Sequence, residues 1–332
     1  MDVERVDMAE WRRLLPDRGV EVFHTPAALS VVEEYATGEL QLLAARRGEQ
    51  PVGLFAAVVR ETPLGSAVLS PPPGLGIPRL GPVLTPTSPK QRKRERAAER
   101  FAEGVIEHFG VDSPRTLFRV HCTPEYPDPR PFAWAGFDVG HAFTYALDVT
   151  APLEDIRAGF SKSLRREIDD ADDLGIEVTR EAGEVARAIY EDTAARYEAR
   201  GDTLALGWEY VRDLLSALGD RARVYVARTP EGAYLGGITV LYGPDRAYFW
   251  QGGVAESYEG TGVNGSIHWR IVADLATDPE LEGVETYDLV GANTRRLCRY
   301  KAKFSAPLVA YPTVESNGVA MALAKRTYGL VS

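Results

Sequence analysis

Cysteine is scarce in this chain of 332 residues, and its two cysteines, Cys122 and Cys298, lie too far apart to suggest a disulfide framework. The 5 histidines show no metal-ligand spacing, so the sequence predicts no metal site. Neither a G-x-S-x-G nucleophile elbow nor a P-loop occurs. These absences argue against a zinc protein, a serine hydrolase and a P-loop nucleotide enzyme.

Long hydrophobic runs are absent as well. Residues 52–59 form a typical apolar stretch, which is long enough for a strand and too short to cross a membrane. Residues 1–7 show no cationic region followed by an apolar one, so no secretory signal is visible. We therefore expect a cytoplasmic protein without a transmembrane segment.

Positive charge is in deficit. The chain has 38 Lys+Arg against 48 Asp+Glu, a formal net charge of -10, which argues against DNA as a partner and leaves room for a local basic groove. Only six residues are lysine, and two of these, Lys301 and Lys303, lie within three positions of each other. An amine is a compact charge that can lose its proton, unlike a guanidinium, so this concentration suggests a chemical role.

The two halves of the sequence repeat one scheme. Residues 40–59 read as two strands joined by a polar turn, and the second strand is entered through Gly53. Residues 223–242 follow the same plan, with Gly236 and Gly237 at the matching place. Duplication explains this agreement better than coincidence.

A further strand and an amphipathic helix follow each hairpin, with the helices predicted at residues 88–109 and 265–276. We therefore predict an α/β (α+β) protein built from two tandem units, each a mixed, largely antiparallel sheet flanked by helices. The length favours about two domains, which we place at residues 1–150 and 151–332.

Residues 284–304 form the most informative segment. They read as a buried strand, a polar turn at residues 291–293 and a short basic helix with Thr294 as its N-cap. This layout presents cations at a strand end, where open α/β folds place ligands. Asp288 at the strand end is either a base or a structural carboxylate that accepts hydrogen bonds from the turn.

Two other segments each have two interpretations. Residues 161–171 place Arg165 and Arg166 on one helix, where they either hold an anion or pair with nearby acids on a solvated face. Residues 260–265 fit G-x-G-x-x-G ahead of a helix, so they are either an anion site or a flexible glycine turn. Their late position in the chain argues against a nicotinamide domain.

Several strings, taken in order, resemble one family. Gly265-Ser-Ile-His-Trp, Tyr287-Asp-Leu-Val-Gly-Ala-Asn and Arg299-Tyr-Lys-Ala-Lys-Phe are similar to the second unit of the FemAB family and its CelD/BioF-like relatives in the GNAT superfamily. Ser163-Leu-Arg-Arg-Glu-Ile-Asp-Asp-Ala resembles the basic helix that opens that unit, and Val22-Phe-His-Thr-Pro resembles an early motif of the first. Together these strings cover most of the chain.

The resemblance implies two GNAT-like units in tandem and transfer of an acyl or aminoacyl group to an amine near the splayed strands of the second unit. It places the family's aromatic and lysine motif on Tyr300-Lys301, where the amine would contact the donor or stabilise the oxyanion of the tetrahedral intermediate. We predict three catalytic residues, Lys301, Tyr300 and Asp288. Residues expected to bind the donor are Gly260, Gly262, Asn264, Gly265 and Ser266. Residues expected to bind the substrate are Arg165, Arg166, Asn293 and Lys303.

The predicted acceptor is an amine of an amino sugar, a peptide or a cell envelope precursor. Acyl-CoA is favoured as the co-substrate, and no tightly bound cofactor is expected. Three alternatives remain: a Fem-type ligase that uses aminoacyl-tRNA, a GNAT-fold binding module without catalysis and, well below these, a nucleotide-dependent oxidoreductase that rests on residues 260–265.

Overall fold

Two units make up the chain: residues up to 142 with residues from 310 onward form the first, and residues 143–309 form the second. The structure, a computed structural model, describes residues 2–48, 50–63, 65–85, 88–113, 115–254, 257–292 and 294–317. The separate domains predicted with a boundary near residue 150 stay a prediction. Within the described ranges, no helix combines the length and the apolar composition needed to cross a membrane.

The first unit is built on a mainly antiparallel sheet. Its elements are β1 (Asp2–Arg5), α1 (Met8–Leu14), α2 (Pro26–Tyr35), β2 (Glu39–Arg47), β3 (Gln50–Thr62), β4 (Gly65–Ser70), β5 (Val83–Leu84), α3 (Gln91–Phe109), β6 (Thr116–His121) and α4 (Arg130–Trp134). The strands follow the order β1-β2-β3-β4-β6, with β5 also paired to β3. Only β4 and β6 run parallel among these pairs.

The chain enters the second unit along β7 (Asp138–Asp148) and leaves it along β13 (Leu308–Glu315), whose last residues pair with β6. The elements between them are α5 (Leu153–Gly159), α6 (Lys162–Asp173), β8 (Glu177–Glu181), α7 (Val185–Glu198), α8 (Trp208–Leu218), β9 (Ala222–Arg228), β10 (Tyr234–Tyr242), β11 (Arg246–Gly252), α9 (Asn264–Thr277), β12 (Thr286–Asp288) and α10 (Arg295–Lys301). The strand order is β7-β12-β11-β10-β9-β8, and only β11 and β12 are parallel neighbours among these described strands.

Both units follow the plan that the sequence repeat predicts. An antiparallel hairpin, a third strand, a helix and a parallel strand occur as β2-β3-β4-α3-β6 and again as β9-β10-β11-α9-β12. A parallel neighbour requires a crossover, and α3 and α9 supply it in the two units. The predicted fold class, two tandem units with mixed and largely antiparallel sheets, is confirmed.

Helices cover both faces of the second sheet. The apolar stripe of α6, Leu164, Ile168 and Ala171, lies in one core with Ile267 and Ile271 of α9. Alternate residues of β9 point to opposite faces. Tyr225 and Ala227 accordingly belong to the core with α6 and α9, while Val224 and Val226 pack with Ile189 of α7 and Leu215 of α8.

The parallel pair of the second unit is short. β12 ends at Asp288, which pairs with Tyr248, whereas β11 continues to Gly252. The pairing of β10 with β11 also shifts between Thr239 and Val240, so two residues of β11 oppose one of β10 at this end. The end of β11 therefore has an open edge and an irregular backbone.

A buried ion pair lies in the core of the first unit. The Arg79 guanidinium donates to both carboxylate oxygens of Glu21, at 2.9 and 3.2 Å, and both side chains are 1% exposed. The guanidinium also lies 5.1 Å from the centre of the Tyr311 ring. His24 accepts the backbone N–H of Glu21, and burial lowers the pKa of this histidine. Each charged group here depends on its partner, because none has water to replace it.

We expect Arg79→Ala to lower the free energy of unfolding by about 3–5 kcal/mol, because Glu21 would stay buried without a counter-charge. Urea unfolding followed by circular dichroism measures this change. The matched control is Arg5→Ala, which breaks an exposed pair with Glu39 and should cost far less. Equal effects in the two variants would contradict the importance of the buried pair.

Candidate active site

Lys301 lies where β11 and β12 separate. Its side chain belongs to the last turn of α10, which Thr294 caps by accepting the N–H of Leu297, as predicted. The amine is buried and donates hydrogen bonds to the carbonyl oxygens of Val290 and Gly291, the latter at 2.8 Å. The sequence interpretation required this amine to lie beside the strand end, and the structure places it there.

The turn that holds the amine has an uncommon backbone. Val290 has φ 49° and Gly291 has φ 64°. A β-branched residue rarely adopts a positive φ, and such conformations cost on the order of 1–3 kcal/mol. The strained turn directs two successive carbonyl groups at one ammonium group.

The environment of Lys301 makes its charge labile. Burial lowers the pKa of the amine from 10.5 to about 8, although Asp288 and Cys298 act in the opposite direction. The amine also lies 5.9 Å from the centre of the Phe249 ring. At neutral pH Lys301 therefore carries a proton that it loses more easily than an exposed lysine.

Asp288 holds the same turn from the strand side. Its fully buried carboxylate accepts hydrogen bonds from the Thr144 hydroxyl at 2.5 Å and the Val290 N–H at 2.8 Å. Arg246 forms an ion pair with the second carboxylate oxygen at 3.4 Å. These contacts agree with the structural carboxylate considered from the sequence, and a catalytic role for Asp288 stays a prediction.

An aromatic cluster surrounds His268 of α9. Ring centres of Phe249, Tyr287, Tyr300 and Phe304 lie 4.8, 5.8, 6.1 and 4.8 Å from that of His268. His268 Nδ1 and the Tyr287 hydroxyl are 2.9 Å apart. Among the described residues, His268 Nε2 and the Tyr300 hydroxyl are buried without a hydrogen-bond partner. The cluster therefore presents two polar atoms free to bind a ligand.

Both polar groups of the cluster stay uncharged at neutral pH. Burial, followed by the charge of Lys301, lowers the pKa of His268 to about 3. Burial raises the pKa of Tyr300 and keeps its hydroxyl protonated. The sequence analysis rejected His268 as a metal ligand, included it in a string that resembles the FemAB family and gave it no role in the site. Its place on the inner face of the helix at residues 265–276 was the available signal.

The loop predicted to bind the donor begins with a tight turn. Tyr258 and Thr261 exchange backbone hydrogen bonds, and the two residues between them, Glu259 and Gly260, have φ 48° and 81°. A turn with positive φ at both central positions favours glycine. The position of Gly260 thus has a structural explanation.

The start of α9 faces a carboxylate from the protein itself. Glu167 of α6 accepts the N–H of Gly265 at 3.0 Å, and a Cβ on Gly262 would lie 2.8 Å from the same oxygen. The Asn264 amide bonds to both the N–H and the carbonyl of Val254, each at 2.8 Å. Ser266 is buried. Negative charge at this helix end disfavours a diphosphate, and donor binding by this loop stays a prediction.

Unpaired cations lie on α6 and α10. The Ser161 N–H at the start of α6 donates to the Lys303 carbonyl just after α10, at 2.8 Å. Arg166 pairs with Asp170 at 3.3 Å. Within the described part of the chain, six cations of α6, α10 and the turn after α10 make no ion pair, and we call them the basic rim: Lys162, Arg165, Arg295, Arg296, Arg299 and Lys303. The structure thus brings Arg165 and Lys303 onto adjacent segments, while Asn293 lies outside the described residues.

Comparison with known proteins agrees with the fold. The model of an acetyltransferase (GNAT) domain family matches residues 158–302. FemX is similar over 99% of this chain and 100% of its own, with a TM-score of 0.72 at 11% identity. The C-terminal domain of a putative lysylphosphatidylglycerol synthetase from Agrobacterium fabrum has a TM-score of 0.56 at 15% identity over 97% of each chain. No curated protein matches.

The pKa of Lys301 predicts a pH effect on stability. The pKa of Lys301 is about 8 in the folded protein, below the usual 10.5. Between pH 8 and pH 10.5, this lysine therefore carries a proton in the unfolded chain and has lost it in the folded one. The free energy of unfolding should therefore rise with pH in this window, relative to Lys301→Met. Urea unfolding of both proteins at about pH 7.5, 9 and 10 measures the difference. A difference that does not change with pH would show that the amine is not perturbed.

Proposed function

Because residues 158–302 match the model of an acetyltransferase (GNAT) domain and the fold is similar to that of FemX, we propose that the protein moves an acyl or aminoacyl group from an activated donor to an amine. The acceptor is an amino sugar, a peptide or an envelope precursor. One observation carries the proposal: the buried amine of Lys301 lies beside the aromatic cluster where β11 and β12 separate.

The proposed reaction is direct attack of the acceptor amine on the donor carbonyl carbon. A C–N bond forms, negative charge develops on the carbonyl oxygen, and the bond to the leaving sulfur or oxygen then breaks. The proton released by the amine passes to the leaving group. Positioning and oxyanion stabilisation supply the rate, so no covalent enzyme intermediate is needed.

Lys301 suits the oxyanion. An ammonium group has three N–H donors, and two of them bind the carbonyls of Val290 and Gly291. The third is left for the developing oxygen charge. Tyr300 is the second donor in this proposal, because its hydroxyl stays protonated and has no partner among the described residues. His268 is too weak a base to remove the proton and instead orients the ring of Tyr287.

Acyl-CoA is the general donor of GNAT enzymes, and aminoacyl-tRNA is the second candidate. Two observations favour the second one. The carboxylate of Glu167 occupies the start of α9, where the sequence suggested a site for an anion of the donor. The basic rim offers unpaired cations to a polyanion although the whole chain has a net charge of -10. We therefore infer that charged tRNA is a better donor than acyl-CoA.

We expect Lys301→Met to lower kcat by about 10²–10³, which is the usual effect of removing one oxyanion donor. The assay measures transfer from acetyl-CoA or charged tRNA to a panel of amino sugars and peptides, with hydroxylamine as a surrogate amine. Lys93→Met, a lysine of α3 in the first unit, is the matched control. Full turnover in Lys301→Met would overturn the assignment, and donor binding without any product in the wild type would favour a binding module.

The choice of donor predicts a salt dependence. Charged tRNA should bind with an affinity that falls steeply as salt is raised, because the basic rim binds phosphates. The slope of the logarithm of the binding constant against the logarithm of the salt concentration measures this dependence. Replacing Arg295 and Arg296 by glutamine should make that slope shallower by about one for each phosphate that the variant no longer binds. Gel shift across a salt series measures it, with Arg12 and Arg13 of α1 replaced as the control pair. A melting shift with acetyl-CoA, and none with charged tRNA, would reverse the inference.

A further inference from the structure

A second polar feature lies at the end of β11, on the face of the sheet opposite the aromatic cluster. Thr239 of β10 pairs with both Val224 of β9 and Gln251 of β11. Val224 belongs to the cluster with Ile189 of α7, so this row of side chains faces α7 and α8. Phe249, on β11, instead contacts His268 on the other face.

The side chains of this row are buried and unsatisfied. Gln251 is 5% exposed and Thr239 is fully buried. In the described part of the molecule, neither amide atom of Gln251 has a hydrogen-bond partner, and the Thr239 hydroxyl has none either. Leaving one such group unpaired lowers the stability of the fold by about 1–3 kcal/mol. Three unpaired atoms on two directly paired residues lower it further. Folded proteins retain such groups mainly where a ligand or water satisfies them.

The backbone shapes this position. The register of β10 and β11 shifts at this point, so Trp250 is the extra residue beside Gln251. Trp250 packs against Tyr210 of α8, with ring centres 6.5 Å apart. An irregularity of this kind re-aims side chains and is common next to active sites.

A cation borders the same strand end. Arg196 of α7 donates to the carbonyl of Gly253 and, at 2.9 Å, to the hydroxyl of Thr193. Among the described residues its half-buried guanidinium has no ion pair. A guanidinium has five N–H donors, so several remain for an anionic group of a ligand.

We propose that Gln251 and Thr239 form the acceptor-recognition site and bind an amide group of the acceptor, with Arg196 binding a carboxylate. The Gln251 amide offers an NH2 group as a donor and a carbonyl oxygen as an acceptor, which is the complement of another amide. A peptide with a free N-terminus carries this group beside the accepting amine, and the arginine favours a peptide with a free carboxylate. This inference rests on the proposed transfer to an amine and adds which acceptors are chosen.

The donor site and the acceptor site lie on opposite faces of β11. Lys301 and the aromatic cluster lie on the α9 face of β11, and the amide site lies on the α7 and α8 face. An acceptor held by Gln251 approaches the end of β11 from the side opposite the donor. Its amine then meets the donor carbonyl at the open edge, and neither reactant has to displace the other.

The first experiment measures stability without any ligand. We expect Gln251→Met and Thr239→Val to melt at or a few degrees above the wild-type temperature, because they remove buried groups that the protein leaves unpaired. Thr193→Val is the matched control and should melt lower, because its hydroxyl bonds to Ile189 and Arg196. A lower melting temperature for both site variants would mean that these groups serve the fold, which overturns the proposal.

The second experiment measures binding with defined probes. Alanylalanine should raise the melting temperature of the wild-type protein, and this shift should disappear in Gln251→Met. N-acetylglucosamine carries the amide without a free amine or a carboxylate, and glycine and glucosamine are matched amines without the amide. A shift with alanylalanine that is lost in Gln251→Met supports the proposal, whether or not N-acetylglucosamine also gives a shift. A shift that persists in Gln251→Met, or no shift with alanylalanine, overturns it.

Lys301→Met separates this inference from the proposed function. The variant should keep the shift with alanylalanine, since Lys301 lies on the other face of β11. If the amide probes bind and no acyl transfer is found with any donor, the recognition site stands and the proposed reaction fails. If transfer is found and Gln251→Met acylates alanylalanine with an unchanged KM, the recognition site is wrong and the reaction stands.

Discussion

The site depends on one interaction, the ammonium of Lys301 against the carbonyls of Val290 and Gly291. Those residues adopt a left-handed backbone that a valine resists, so the turn needs compensation of about 1–3 kcal/mol. Hydrogen bonds to a charged group contribute about 1.5–3 kcal/mol each, and the burial that lowers the pKa of Lys301 opposes this contribution. Asp288 accepts the N–H of Val290 on the strand side. Lys301 and Asp288 thus hold the turn at Val290 from its two sides, and these contacts keep the amine of Lys301 beside the strand end.

Much of the fold could be predicted because its signals are local. Turn glycines, alternating strands and an amphipathic helix recur at the same spacing in both halves, so the tandem plan was visible without coordinates. Lys301 was visible because lysine is rare in this chain. Thr294 caps α10 as its residue type predicts. None of these predictions requires knowledge of a distant contact.

The contacts within the site could not be predicted from the sequence, because they join residues that are far apart in the chain. Glu167 meets Gly265 from 98 positions away, and no local pattern shows which of the acids in residues 161–171 turns inward. His268 gains its perturbed pKa from burial among rings that β11, β12 and α10 supply separately. The pairing of Gln251 with Thr239 depends on a register shift that the strand sequences do not encode visibly. Tertiary packing decides each of these features.

Glu167 also changes what the start of α9 does. A helix N-terminus attracts an anion, and here a fixed carboxylate already supplies it, so a ligand phosphate would have to displace a charge bonded at 3.0 Å. Affinity for an anionic donor must then come from elsewhere in the unit. The basic rim is the candidate, since its cations have no acid partners among the described residues. Cations spread over α6 and α10 suit a long polyanion better than one diphosphate, because each bound phosphate adds a separate and salt-sensitive increment. The carboxylate and the rim are thus two separate arguments for the polyanionic donor that we propose.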